Sequence, residues 1–165
     1  MNRTNSHAAR GMIFIHSTSA ALRPHVEWAI AAALDAQAQL DWTDQHAEAG
    51  AQRAEFSWVG RVGTGAKLAS ALSRLGRVRF EVTEEPTPGA DGQRFMYTPS
   101  LGSFSAITGV HGDILVPEDR LRHAAASGDL YHALDALLGR PWDDELEYFR
   151  HASEDAPVRW LHQVV

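Results

Sequence analysis

No cysteine occurs among the 165 residues, which excludes disulfides, thiolate nucleophiles and thiolate metal sites together. A reducing interior suits such a chain. Lysine is nearly as scarce: Lys67 is the only one, and all other fixed positive charge is arginine, which makes planar, paired contacts to carboxylates and phosphates. Positive charge is in deficit overall, since 21 Asp and Glu against 15 Lys and Arg leave a net charge of −6. A surface of that sign repels phosphate backbones, so nucleic acid is not an expected partner. Long apolar runs are missing too. The most hydrophobic helical stretch, VEWAIAAAL, covers nine residues and carries Glu27, too short for a bilayer span. The N-terminal MNRTNSHAAR has no apolar segment of the signal-peptide kind. These absences set the expectation of a cytoplasmic protein without a membrane partner, whose residues 1–10 form a mobile tail.

What is present suits one well-packed domain over residues 11–165: 44% of residues are hydrophobic and 22% charged. GMIFIH reads as a central strand. Pro24 suits the first turn of a helix whose buried stripe is Val26, Ile30, Ala33 and Leu34. LDWT reads as a short strand. QRAEFSWVG alternates, with Ala54, Phe56 and Trp58 inward. A helix follows with Leu68, Leu72 and Leu75 on its stripe and Gly76 as its stop, and RVRFEVTE then alternates again. Through residue 84 the order is strand, helix, strand, strand, helix, strand. That is the ferredoxin-like split βαβ pattern of an α+β fold, an antiparallel sheet with helices on one face. Residues 85–165 add a hairpin bent at Pro99 and Gly102, helices near 117–126 and 128–139, a third in WDDELEYFRH, and PVRWLHQVV as a docked terminal strand.

Several stretches suggest chemistry. GRVGTGAK resembles a phosphate loop, but Ala66 separates Gly65 from Lys67 and Leu68 replaces the magnesium-binding hydroxyl. A weaker anion site remains at Gly63, Thr64 and Gly65, assisted by Lys67, because a helix follows. The nine histidines include His16 at the end of the first strand and His25 in the following helix. With His111 and Asp113, which share a side of an extended segment, they are the candidates for acid–base or metal-assisted chemistry. Nothing in the sequence brings His16 near His111, no HExxH or paired helical histidines occur, and no metal or cofactor is expected. Ser17, Thr18 and Ser19 lack a nucleophile elbow and suit helix capping. In TGVHGDILVPEDRL, Pro117 opens a helix with Glu118 and Asp119 in its first turn, which leaves only His111 and Asp113 without a local explanation. Arg53, Arg77 and Arg79 point outward on two strands. If those strands are neighbours, the arginines form either a salt-bridge ladder with Glu55 and Glu81 or a docking patch for an acidic partner. Outward aromatics for base stacking are missing there.

GMIFIHSTSAALRPHVEWA, RFEVTEEPTPGADGQRFMYTPSLGSFSAITGVHGDILVPEDRL and PWDDELEYFRHASEDAPVRWLHQVV together resemble an actinobacterial family of uncharacterised proteins, domain of unknown function 3145. The resemblance covers residues 11–165 and implies no assigned activity or catalytic residue. It also implies an association with fatty-acid synthesis genes. An acyl carrier protein, being acidic, would then have to meet an arginine patch that overcomes the net charge of −6. Two functional expectations follow. The first is a non-catalytic binding or accessory protein, with a protein or small-molecule partner and self-association open. The second is a small hydrolase-like enzyme using His111 and Asp113 with His16 and His25.

Overall fold

Alternation along the first strand decides the architecture. In β1 (Ala8–Ser19), Ile13 and Ile15 project to one side and Phe14 and His16 to the other, and all four are buried. A strand buried on both sides needs neighbours at both edges and cover on both faces. The computed structural model, which describes residues 8–152, supplies both. β1 pairs antiparallel with β3 (Ala51–Arg61) at one edge and with β4 (Arg79–Glu84) at the other. Gly11 permits the close approach, because a Cβ there would lie 1.8 Å from the Thr83 carbonyl oxygen. The remaining strands are β2 (Thr43–Asp44), β5 (Gly92–Thr98), β6 (Gly102–Thr108) and β7 (Ile114–Leu115). The sheet order is β2-β3-β1-β4-β5-β6-β7, antiparallel throughout.

Helices α1 (Arg23–Leu34) and α2 (Thr64–Ser73) cover the face carrying Ile13, Ile15, Ala54, Trp58, Phe80 and Val82. Val26, Ile30, Leu68 and Leu72 enter this core with no exposed surface, so the apolar stripes read from the sequence are the ones used. The second face differs from expectation. It is not bare: α5 (Arg140–Arg150) lies over β1, β4 and β5 with Leu146 and Phe149 inward. α3 (Glu118–Ala126) and α4 (Leu130–Leu137) form a helical hairpin that leads into it. Gly139 joins α4 to α5 at φ +74°, and a Cβ there would meet the Phe104 ring at 2.7 Å, so the helix start sits hard against the sheet.

Boundaries moved at two places. Ala8, Ala9 and Arg10, read as tail, belong to β1, and Ala9 is buried against the core. LDWT does not form the expected strand; β2 is only Thr43 and Asp44. Glu27 holds the preceding segment instead, accepting from the Leu40 amide at 3.0 Å and from Trp42 Nε1 at 2.9 Å. That carboxylate satisfies backbone which a strand would otherwise have paired. The terminal strand expected over 157–165 lies outside the described residues.

Candidate functional site

Between the second sheet face and α5 lies a buried cluster of charges. Glu81, on β4, has no exposed surface. Its Oε1 accepts from Arg94 Nη2 at 2.9 Å and from Arg150 Nη2, and its Oε2 accepts from Arg150 Nε at 3.3 Å. His16 Nε2 lies 2.7 Å from Oε2, and because an ionised carboxylate only accepts, that ring nitrogen carries the proton. Asp143 joins the cluster, accepting from Arg94 at 2.8 Å and from Arg150 at 3.0 Å. Burial alone would raise the Glu81 carboxyl. The hydrogen bond and charge of His16, with Arg150 and Arg94, outweigh that and hold it far below the usual carboxylate range. Burial also works against the charge on Arg150, and Glu81 and Asp143 more than reverse the effect, raising its pKa.

A second set of contacts continues along α5. Glu145 accepts from Ser100 at 2.6 Å, Thr98 at 3.0 Å and Arg79 at 3.3 Å. Partial burial would raise its carboxyl, but these bonds and the Arg79 charge lower it. Gln45 closes the end of the cluster, its amide donating to the backbone oxygens of His16 and Phe149. Every oxygen of Glu81 is engaged by a cation. The geometry therefore does structural work, binding α5 to the sheet, and leaves no Glu81 oxygen open to accept a proton from a substrate.

The structure separates most of the residues that the sequence grouped. His16 sits in a bulge of β1, inside the cluster, and not at an open strand end. His111 and Asp113 lie exposed in the turn between β6 and β7, three to four strand spacings from β1, about 14–19 Å. His25 is exposed on α1, over the opposite face from the His16 ring. The four are not brought into one pocket, and among the described residues no group of three or more His, Asp or Glu could hold a metal ion.

The helix N-terminus at Gly63, Thr64 and Gly65 does hold an anion, and the anion is internal. Glu84 of β4 accepts from the Gly63 amide at 2.8 Å and the Gly65 amide at 2.7 Å, while Lys67 points to solvent. The arginine patch is corrected as well. β1 separates β3 from β4, so Arg53 and Arg79 are not on neighbouring strands and form no ladder. Arg79 is spent on Glu145 and Glu48 and lies over the Phe149 ring at 4.5 Å; Arg77 is exposed in the turn before β4. Ser17 donates to Glu48 instead of capping a helix.

The sequence reads Glu81 only as an outward ladder partner and leaves Arg94, Asp143 and Arg150 out of the candidates. One signal was available: Arg150 falls at i+4 from Leu146, on the stripe that α5 buries, where a charge requires a partner.

The far end of the molecule has another character. None of the eight residues of α4 is fully buried, although its sequence is LYHALDAL. Leu130 is 43% exposed and Tyr131 86%, and Leu121 on α3 and Leu138 just after α4 are exposed as well. Between α3 and α4 runs a groove of about 640 Å³, with Ala124, Ala133, Ala136 and Leu137 among its lining residues. Arg120 and Leu137 also line a smaller cavity of about 140 Å³ at the β6–β7 edge. Among the described residues no helix is long and apolar enough to cross a membrane.

A family model described as a protein of unknown function, DUF3145, matches residues 12–163. No curated protein and no solved structure matches the chain.

Proposed function

The chain belongs to the DUF3145 family of proteins of unknown function, and on that premise we propose that it is a non-catalytic binding or accessory protein of the cytoplasm, contacting a partner through the α3–α4 hairpin. The observation that carries the reading is the exposure of large apolar side chains on α4 and at its C-terminal end, where Leu130, Tyr131 and Leu138 face solvent. Large apolar side chains left exposed on one short element cost solubility and mark contact surfaces when they persist. The engaged state of Glu81 supports the non-catalytic part of the reading, since the most buried ionisable group in the sheet is consumed in holding α5. The scaffold we assign is a ferredoxin-like core extended at one edge; the order β4-β1-β3-β2 with α1 and α2 on one face supports it.

A photo-crosslinking residue at position 131, in the native host, tests this. The expected result is a covalent adduct of defined mass that is absent when the same group replaces the exposed Lys67 on α2. No adduct at 131, or equal labelling at 67, overturns it.

A further inference from the structure

We propose that the groove between α3 and α4 seats an amphipathic helix of the partner, and that Arg120 pairs with an acidic residue on that helix. This rests on the binding role above and adds the partner's chemistry.

Four observations carry it. The groove has small apolar walls, Ala124, Ala133 and Ala136, which let a third backbone approach closely, with Leu137 at one end. Its two helices are nine and eight residues long, so the groove runs about 12–14 Å, two turns of a docked helix. Both flanking elements satisfy their own main chain, so an extended strand would find few partners there, whereas a helix arrives with its backbone already paired.

The fourth observation is charge. Arg122 pairs with Glu118 at 2.6 Å, and Asp119, which also lines the groove, stands at i,i+4 spacing from His123. Arg120 lines the groove with Asp119, His123, Ala124 and Ser127, and no ion pair or hydrogen bond joins it to another described residue. It also borders the 140 Å³ cavity, whose wall mixes Leu115, Val116 and Pro117 with Gln93 and Ser105. An unpaired guanidinium between two recesses that each carry aliphatic walls calls for a carboxylate next to an aliphatic side chain. Arginine in such a setting often dominates binding energy.

A phage-displayed library of amphipathic helices, selected on the full chain and counter-selected on Ala133→Arg, tests the proposal. The enriched helices are expected to share one acidic position at constant spacing from their apolar anchors. Binding of a synthetic winner should weaken about tenfold or more with Arg120→Glu and recover when its acid becomes lysine. Both substitutions lie on exposed or half-exposed helix positions, and wild-type unfolding midpoints would confirm that the fold is kept. No enrichment, acid-free winners or an indifferent Arg120→Glu would overturn it. So would a tenfold gain in affinity with Trp160→Ala, which would make residues 153–165 the occupant, or a dimer abolished by Ala133→Arg, which would make it a second copy. A crosslink at position 131 that survives Arg120→Glu would leave the binding role standing and end this inference alone.

Discussion

At the scale of single residues, Glu81 has the greatest leverage. Its carboxylate is the common acceptor for His16, Arg94 and Arg150, away from water. Removing one partner of a buried ionic group leaves the others undercompensated, and Glu81→Gln should destabilise the protein by about 3–5 kcal/mol in chemical denaturation. A loss under about 1 kcal/mol, the range of exposed pairs, would mean that the cluster is wetter than its burial indicates. The sequence placed Glu81 on the side of β4 opposite Val78, Phe80 and Val82, which is correct. It read that side as facing water, because alternation reports that a strand has two sides and not whether the second is covered. The same limit hid Arg94, and it made Arg79 look like a docking group when its guanidinium is committed to Glu145 and Glu48.

At the scale of elements, two attachments can be tested. The first is the seating of α2. Glu84 occupies the amides of Gly63 and Gly65, so Glu84→Ala should cost about 1–2 kcal/mol, the range of a lost N-terminal cap. The vacated amides should then accept inorganic phosphate, and phosphate should raise the melting temperature of the variant more than that of the wild type. Equal shifts would show that Glu84 was not guarding an anion site. The sequence saw the capacity of this turn for an anion but could not see that the anion comes from β4, twenty residues on.

The second attachment is α5, held by Glu81 and Glu145, whose carboxyls both lie below their ordinary values in the folded state. A depressed carboxyl adds stability above its unfolded pKa, near 4.3, and that contribution is lost as the pH falls toward the folded value. The melting temperature should therefore drop below about pH 4.5. With Glu145→Gln the acid slope should be shallower. An unchanged slope would assign acid sensitivity elsewhere.

At the scale of the whole molecule, stability should be uneven. β1 is paired at both edges and covered on both faces, whereas α4 buries no residue fully. In native-state hydrogen exchange, the amides of Ile13 and Ile15 should open only with global unfolding, and those of α4 through a smaller local opening. Uniform protection across both would contradict this division. The sequence by itself determined the strands and helices that carry strong periodicity: β1, β3, β4, α1, α2 and the apolar stripe of α5 were legible because side-chain spacing reports local geometry. It also determined the absence of thiol chemistry. Tertiary structure alone decided which charges meet. Sheet order placed β1 between β3 and β4, removed the arginine ladder, and set His16 apart from His111 and Asp113. The chain's return through α5 turned one sheet face into an interior and joined Glu81 to Arg150 across 69 residues. Pairing at that separation is set by how elements pack, which leaves no period in the sequence from which to read it.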